Sequence, residues 1–243
     1  MLLAVDIGNT NIVFGHFKGN KLVSKSRILT GAKIKVKSPI LKVNKILIAS
    51  VVPDLNKIVS GKLQNIYKVK PLFLRWQDID INITLRNKGQ IGIDRLVNAF
   101  AAKKIYGYPA IIIDFGTATT FCALDRQGKY LGGAITSGLA ISRDILHNRT
   151  AKLPFIKIEK PKNAIGKDTK EAMRSGLYFG YIDMVNGMIK RFKDKLGKNA
   201  KVVATGGLAK LIASGTDKID VVDQDLTLKG LELIYYENLG ARH

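Results

Sequence analysis

One cysteine, Cys122, stands among the 243 residues, so an intrachain disulfide and a zinc site built on cysteines are excluded. No apolar run approaches the ~20 residues needed to span a bilayer, and Met1–Val5 reaches Asp6 too soon for a signal peptide. No membrane partner is expected, and a reducing cytoplasm is the expected location. Neither Gly-x-x-x-x-Gly-Lys-Ser/Thr nor Gly-x-Gly-x-x-Gly occurs, which removes the common loop-based nucleotide sites. His16, His147 and His243 are isolated and fit no metal-ligand or triad spacing. Acids are scarce: 19 Asp and Glu stand against 40 Lys and Arg, a net charge of +21 that invites a nucleic-acid reading. The lysines are dispersed without aromatic interleaving, however, as on a solvated surface. No nucleic-acid partner is therefore expected, and the excess favours encounter with anionic small molecules such as nucleotides.

What is present is a repeated figure. Ile111-Ile112-Ile113-Asp114 delivers one carboxylate at the end of a β-branched run, and Phe115-Gly116-Thr117-Ala118-Thr119-Thr120 follows with a glycine and small residues. That is how a buried strand hands an acid to a tight turn. The glycine allows close backbone approach, and threonine hydroxyls and turn amides suit a phosphate or a cation. Leu2–Val5 with Asp6-Ile7-Gly8-Asn9-Thr10-Asn11 repeats the figure at the N-terminus. Two copies suggest two related half-sites and two domains, 1–110 and 111–243. A lone strand-end aspartate is often a plain turn cap; the duplication weighs against that reading for Asp6.

Between the copies, residues 2–7, 11–17 and 22–29 read as three strands of a meander, and Thr30 to Lys45 as a loop. Ile46–Val52 is a buried strand stopped by Pro53, with a helix from Asp54 to about Tyr67 and a short strand at 70–74. Gly92-Ile93-Asp94-Arg95 leads into an amphipathic helix. Asp94 there is either a first-turn charge paired with Arg95 or a base at a helix start. Thr119–Leu124 and Tyr130–Ile135 form a hairpin, Gly132-Gly133 allows close approach, and helices follow at 139–146 and from about Lys170 to Leu196, with Asp168 or Thr169 as N-cap. The face of the long helix carrying Leu177, Tyr181, Met184, Met188 and Phe192 suits either the core or a subunit contact. Lys201–Thr205 ends in Gly206-Gly207 before a helix at 208–213, a place for a nucleotide's phosphates or ribose. A strand at 219–222 and a helix from Asp225 to about Asn238 close the chain.

Strand-end carboxylates, small-residue turns and a third carboxylate at a helix start suit phosphoryl transfer. That reaction asks for positioning, charge neutralisation and a group to take the proton of the attacking hydroxyl. Asp6 can hold hydrated magnesium beside a triphosphate, and Asp94 can accept the alcohol proton, a role worth ~10²–10⁴ in rate.

Asp6-x-Gly8-Asn9-Thr10, Ser50-Val51-Val52-Pro53, Gly92-x-Asp94-Arg95, Asp114-x-Gly116-Thr117-Ala118-x-Thr120, Gly132-Gly133 and Thr205-Gly206-Gly207 occur in this order over nearly the whole chain. Together they resemble type III pantothenate kinase. The resemblance implies an α/β fold of two ribonuclease-H-like domains with mixed sheets flanked by helices, in the superfamily of acetate and sugar kinases, heat-shock chaperones and actin. It also implies a homodimer that uses ATP to phosphorylate pantothenate. By motif match, Asp6, Ile7, Gly8, Asn9, Thr10, Asn11, Ile12 and Val13 would form the first phosphate hairpin, with Asp6 near Mg2+ through water, and Thr117 would contact ATP. Gly92, Ile93, Asp94 and Arg95 would line the pantothenate pocket, Asp94 as the base and Arg95 as partner of the substrate carboxylate. Asp114 would coordinate a monovalent cation, K+ or NH4+, and Thr169 would touch pantothenate in the neighbouring subunit's pocket. Three positions depart from the family pattern: Leu85 for a pocket tyrosine, Ser137 for a loop proline, and Asp168 for an asparagine. Two alternatives stay open, another small-molecule kinase of the superfamily and a non-enzymatic regulator like the Bvg accessory factor.

Overall fold

The computed structural model describes residues 1–31 and 41–240. The loop expected between Thr30 and Lys45 falls partly outside the described residues. Two compact units divide the chain: Met1–Lys104 with Asp225–His243, and Ile105–Gln224.

In the first unit, β1 (Leu2–Ile7) is the central strand, and its continuous apolar run is buried on both faces. It pairs antiparallel with β2 (Asn11–Lys18), which pairs antiparallel with β3 (Lys21–Leu29). On its other side β1 runs parallel to β4 (Lys45–Ser50), and β4 runs parallel to the short β5 (Leu72–Phe73). The order is β3-β2-β1-β4-β5. Helix α1 (Pro53–Tyr67) starts on Pro53, whose missing N–H costs nothing in a first turn. Its Val59 and Leu63 pack on Leu3, Val5, Ile46 and Ile48. The polar stretch that follows holds two single turns, Trp76–Asp78 and Lys88–Gln90, before α2 (Ile93–Tyr106).

The second unit repeats the plan. Strand β6 (Ala110–Phe115) pairs antiparallel with β7 (Ala118–Leu124), and β7 with β8 (Tyr130–Ser137). After α3 (Leu139–Asn148) and α4 (Thr169–Leu196), β9 (Lys201–Thr205) runs parallel to β6. Helix α5 (Ala209–Ala213) leads to β10 (Val221–Val222), parallel to β9. Read from its other edge, the order β10-β9-β6-β7-β8 matches the first sheet's order strand for strand. The α4 face left open between core and subunit contact belongs to this unit's core: Tyr181 is buried there, and Leu177, Met184, Met188 and Phe192 pack against the same cluster.

One boundary differs from the sequence expectation of domains at 1–110 and 111–243. Helix α6 (Leu226–Ile234) and the π-helical turn Tyr235–Leu239 belong to the first unit. The reason is packing. Leu226, Leu228, Leu231 and Ile234 are buried, and a Cβ on Gly230 would stand 2.7 Å from the Val97 carbonyl oxygen of α2. Thr227 Oγ1 also donates to the buried Asn98 Oδ1 at 2.8 Å.

Candidate active site

Asp6 occupies the penultimate position of β1, in register with Val13 on β2 and Ala49 on β4. The hairpin beyond it closes by a hydrogen bond from Gly8 N–H to the Asn11 carbonyl at 2.9 Å. Thr30, just after β3, holds the turn: its hydroxyl donates to the Gly8 carbonyl at 2.7 Å and its N–H to the Thr10 carbonyl at 2.9 Å. Asn9 and Thr10 are exposed, whereas Ile7 and Ile12 are anchored in the core. Phosphate-binding hairpins need this: fixed strands and a solvent-facing turn of small polar residues.

Asp94 sits in the first turn of α2. Its Oδ1 accepts the Arg95 backbone N–H at 2.8 Å, so the carboxylate folds back over its own helix start. A Cβ on Gly92 would lie 2.5 Å from that oxygen, which explains the glycine at 92. Burial pushes the Asp94 carboxyl pKa up, and the bond from Arg95 N–H and the Arg95 charge offset part of the rise. The buried run Leu96–Ala102 fixes the helix behind it. Leu85 is half-buried in the segment leading to Gly92.

In the second unit Asp114 again precedes a hairpin, in register with Thr120 on β7 and Thr205 on β9. The turn is shorter than its counterpart: Gly116 N–H donates to the Ala118 carbonyl at 3.2 Å. Two glycines crowd it. Gly206, at φ +93°, would put a Cβ 2.5 Å from Asp114 Oδ1 and 2.7 Å from the Phe115 backbone. Gly138 would put one 2.3 Å from the Thr117 carbonyl oxygen, to which its N–H donates at 3.0 Å. Gly133 passes over β7 so closely that no side chain fits. The close approach expected at Gly133 thus has its geometric cause.

Thr169 is the exposed first residue of α4. Asp168 caps that helix by accepting the Glu171 N–H at 2.8 Å, and the Glu171 carboxylate accepts the Lys167 N–H at 2.9 Å. An aspartate in place of the family's asparagine therefore keeps the cap. The clamp by Thr30 and a buried bond between Tyr181 and Thr119 went unforeseen, because each joins residues far apart in sequence.

Each hairpin supplies one strand-end carboxylate with small polar residues, all hard oxygen donors. Mg2+ is commonly held by one or two carboxylates together with waters and substrate phosphates, so the residues present fit an ATP-associated divalent ion.

Solved structures share this architecture. A protein described as a Baf family transcriptional activator from Campylobacter jejuni aligns at TM-score 0.68 with 20% identity, covering 98% of this chain and 99% of that one. Component A of (R)-2-hydroxyglutaryl-CoA dehydratase from Acidaminococcus fermentans aligns at TM-score 0.56 with 14% identity, covering 100% and 99%. These likenesses show the fold alone, two mixed sheets flanked by helices. The sequence pattern of the type III pantothenate kinase family matches residues 2–191. A type III pantothenate kinase from Halalkalibacterium halodurans is 40% identical over 254 residues, spanning 98% of this chain and all of that protein. This chain belongs to the type III pantothenate kinase family.

Proposed function

We propose that this chain transfers the γ-phosphoryl group of ATP to the alcohol of pantothenate, giving 4′-phosphopantothenate in the first step of coenzyme A biosynthesis. The observation that carries the reading is Asp94, a carboxylate held by Arg95 N–H at the start of α2 with its proton affinity raised by burial. A general base works best when its pKa moves toward the working pH. Asp94 takes the alcohol proton, and Gly92, Ile93 and Arg95 form the pocket wall, with Arg95 pairing the substrate carboxylate. Asp6 and the turn Ile7–Val13 hold the phosphates, Asp6 through water on Mg2+. Thr117 contacts ATP, and Asp114 serves a monovalent cation, K+ or NH4+. Thr169 reaches pantothenate in the neighbouring subunit of a homodimer, and the enzyme works in the cytoplasm. The ions supply neutralisation of phosphate charge; the chain's own groups position the reactants and move the proton.

Likeness to the Campylobacter jejuni protein, at 20% identity, supports the fold and carries no activity. Family membership and the retained Asp6, Asp94 and Asp114 favour the kinase over the regulator. The test is ADP release from ATP, Mg2+ and pantothenate, in K+ and again in Na+. Turnover that needs K+ supports substrate and cation site together. No turnover in either ion with folded protein would contradict the reading.

A further inference from the structure

Three elements of the second unit meet at one buried hydroxyl. Tyr181 on α4 is 9% exposed, and its Oη is hydrogen-bonded to Oγ1 of Thr119, a β7 residue that is 0% exposed. The backbone N–H of Leu139, the first residue of α3, also lies near that oxygen. A helix start leaves its first N–H groups without partners inside the helix, and no side chain caps α3, because Gly138 precedes it. The Tyr181 hydroxyl lies near this uncapped start from the core side. Gly138 in turn rests on the hairpin turn, where a Cβ would lie 2.3 Å from the Thr117 carbonyl oxygen and 2.4 Å from that of Gly116.

The chain of contacts is continuous. Tyr181 bonds Thr119 and lies near Leu139; Gly138, joined to Leu139, donates to the Thr117 carbonyl; and Thr119 pairs with Phe115 at the last step of the β6–β7 ladder. We propose that Tyr181 is a positioning residue for the nucleotide, its hydroxyl fixing the Gly116–Thr117 turn and the start of α3 in the geometry that receives ATP. The inference rests on the reading of Thr117 as an ATP contact. Burial pushes the Tyr181 hydroxyl pKa up, so the group keeps its proton for the bond to Thr119.

A tyrosine that only stabilised the core would change melting temperature and leave nucleotide affinity alone. The discriminating experiment measures affinity for a non-hydrolysable ATP analogue with Mg2+ by calorimetry, which needs no acceptor alcohol. It compares the wild type with Tyr181→Phe, which keeps the ring, and Thr119→Val, which keeps the Tyr181 hydroxyl. Losing one buried hydrogen bond predicts that Tyr181→Phe weakens the analogue about 10-fold. In turnover, KM for ATP rises by a similar factor while KM for pantothenate moves by less than about twofold. Thr119→Val weakens the analogue less, by about threefold, and it carries the test if Tyr181→Phe does not fold. Analogue affinity within about twofold of wild type in every folded variant, whatever the melting temperature, overturns the inference alone. A wild type that binds no analogue overturns the ATP reading and this inference with it.

Discussion

The two hairpins begin from one figure and are braced differently. In the first unit the turn Gly8–Asn11 is held by Thr30, through a hydroxyl and an N–H. The second unit's turn at Gly116–Ala118 is held at the equivalent place, just after the third meander strand, by Gly138 at the start of a helix. A backbone N–H braces each turn; the first adds a side-chain hydroxyl and the second a close backbone packing contact. Asp114 is also flanked by Gly206, where a Cβ would be 2.5 Å from its carboxylate oxygen, whereas Ser50 follows Ala49 on the corresponding strand. Duplication of the strand, acid and turn has therefore kept the plan while the second copy became the more crowded, which suits an ion held close to backbone.

The largest effect sets both hairpins apart from the third carboxylate. Asp94→Asn lowers turnover by ~10²–10⁴ while analogue affinity stays near wild type; turnover near wild type would remove Asp94 as the base. The folded Asp94 pKa lies above its unfolded value, so the native state binds the extra proton and wild-type stability falls as pH rises through that window. Asp94→Asn therefore melts at or above wild type at neutral pH, and the advantage vanishes in acid below the ordinary aspartate range.

Gly206→Ala comes next. A left-handed φ costs ~1–2 kcal/mol for a residue with a Cβ, and the clash with Asp114 adds ~1–3 kcal/mol. Its urea midpoint falls clearly, and more K+ is needed for half-activation. Gly138→Ala, with an ordinary φ of −70°, carries the clash alone, ~1–3 kcal/mol, and raises KM for ATP. Gly8→Ala in the first unit meets only the Asn11 carbonyl at 3.1 Å, and its cost stays under about 1 kcal/mol. Equal costs for Gly8→Ala and Gly206→Ala would erase the contrast in crowding.

The smallest effect belongs to the first unit alone. His16 is 9% exposed, bonds Tyr67 Oη through Nε2 at 3.0 Å, and burial lowers its pKa. The unfolded chain then binds the proton more readily, so stability is full above the unfolded pKa of about 6.5 and declines as pH falls below it. A His16→Gln variant should show a flatter melting temperature between neutral and mildly acid pH.

The strands and their terminal acids were legible because unbroken apolar runs such as 111–113 have few other uses in a chain this charged. Pro53 and Asp168 marked helix starts by rules that act within a turn. Family motifs pointed to candidate site residues one by one, and their roles are proposals. Local rules did not reach the allegiance of α6, whose apolar face fits either sheet by pattern and is decided by Gly230 meeting Val97. Nor could they reach Thr30 on Gly8 or Tyr181 on Thr119, bonds between residues 22 and 62 positions apart. The stretch 75–92 was opaque because single turns are held by bonds such as Arg75 to Asp78 rather than by a periodic apolar face.

Under the proposed function the two copies of one figure serve different ions. Turnover of Asp6→Asn and Asp114→Asn, titrated with Mg2+ at saturating K+ and with K+ at saturating Mg2+, tests it most directly. The account predicts that Asp114→Asn raises the half-activating K+ concentration by at least ~10-fold and leaves the Mg2+ curve in place. Asp6→Asn does the reverse. Equal displacement of both curves by both substitutions would contradict the division of labour between the hairpins.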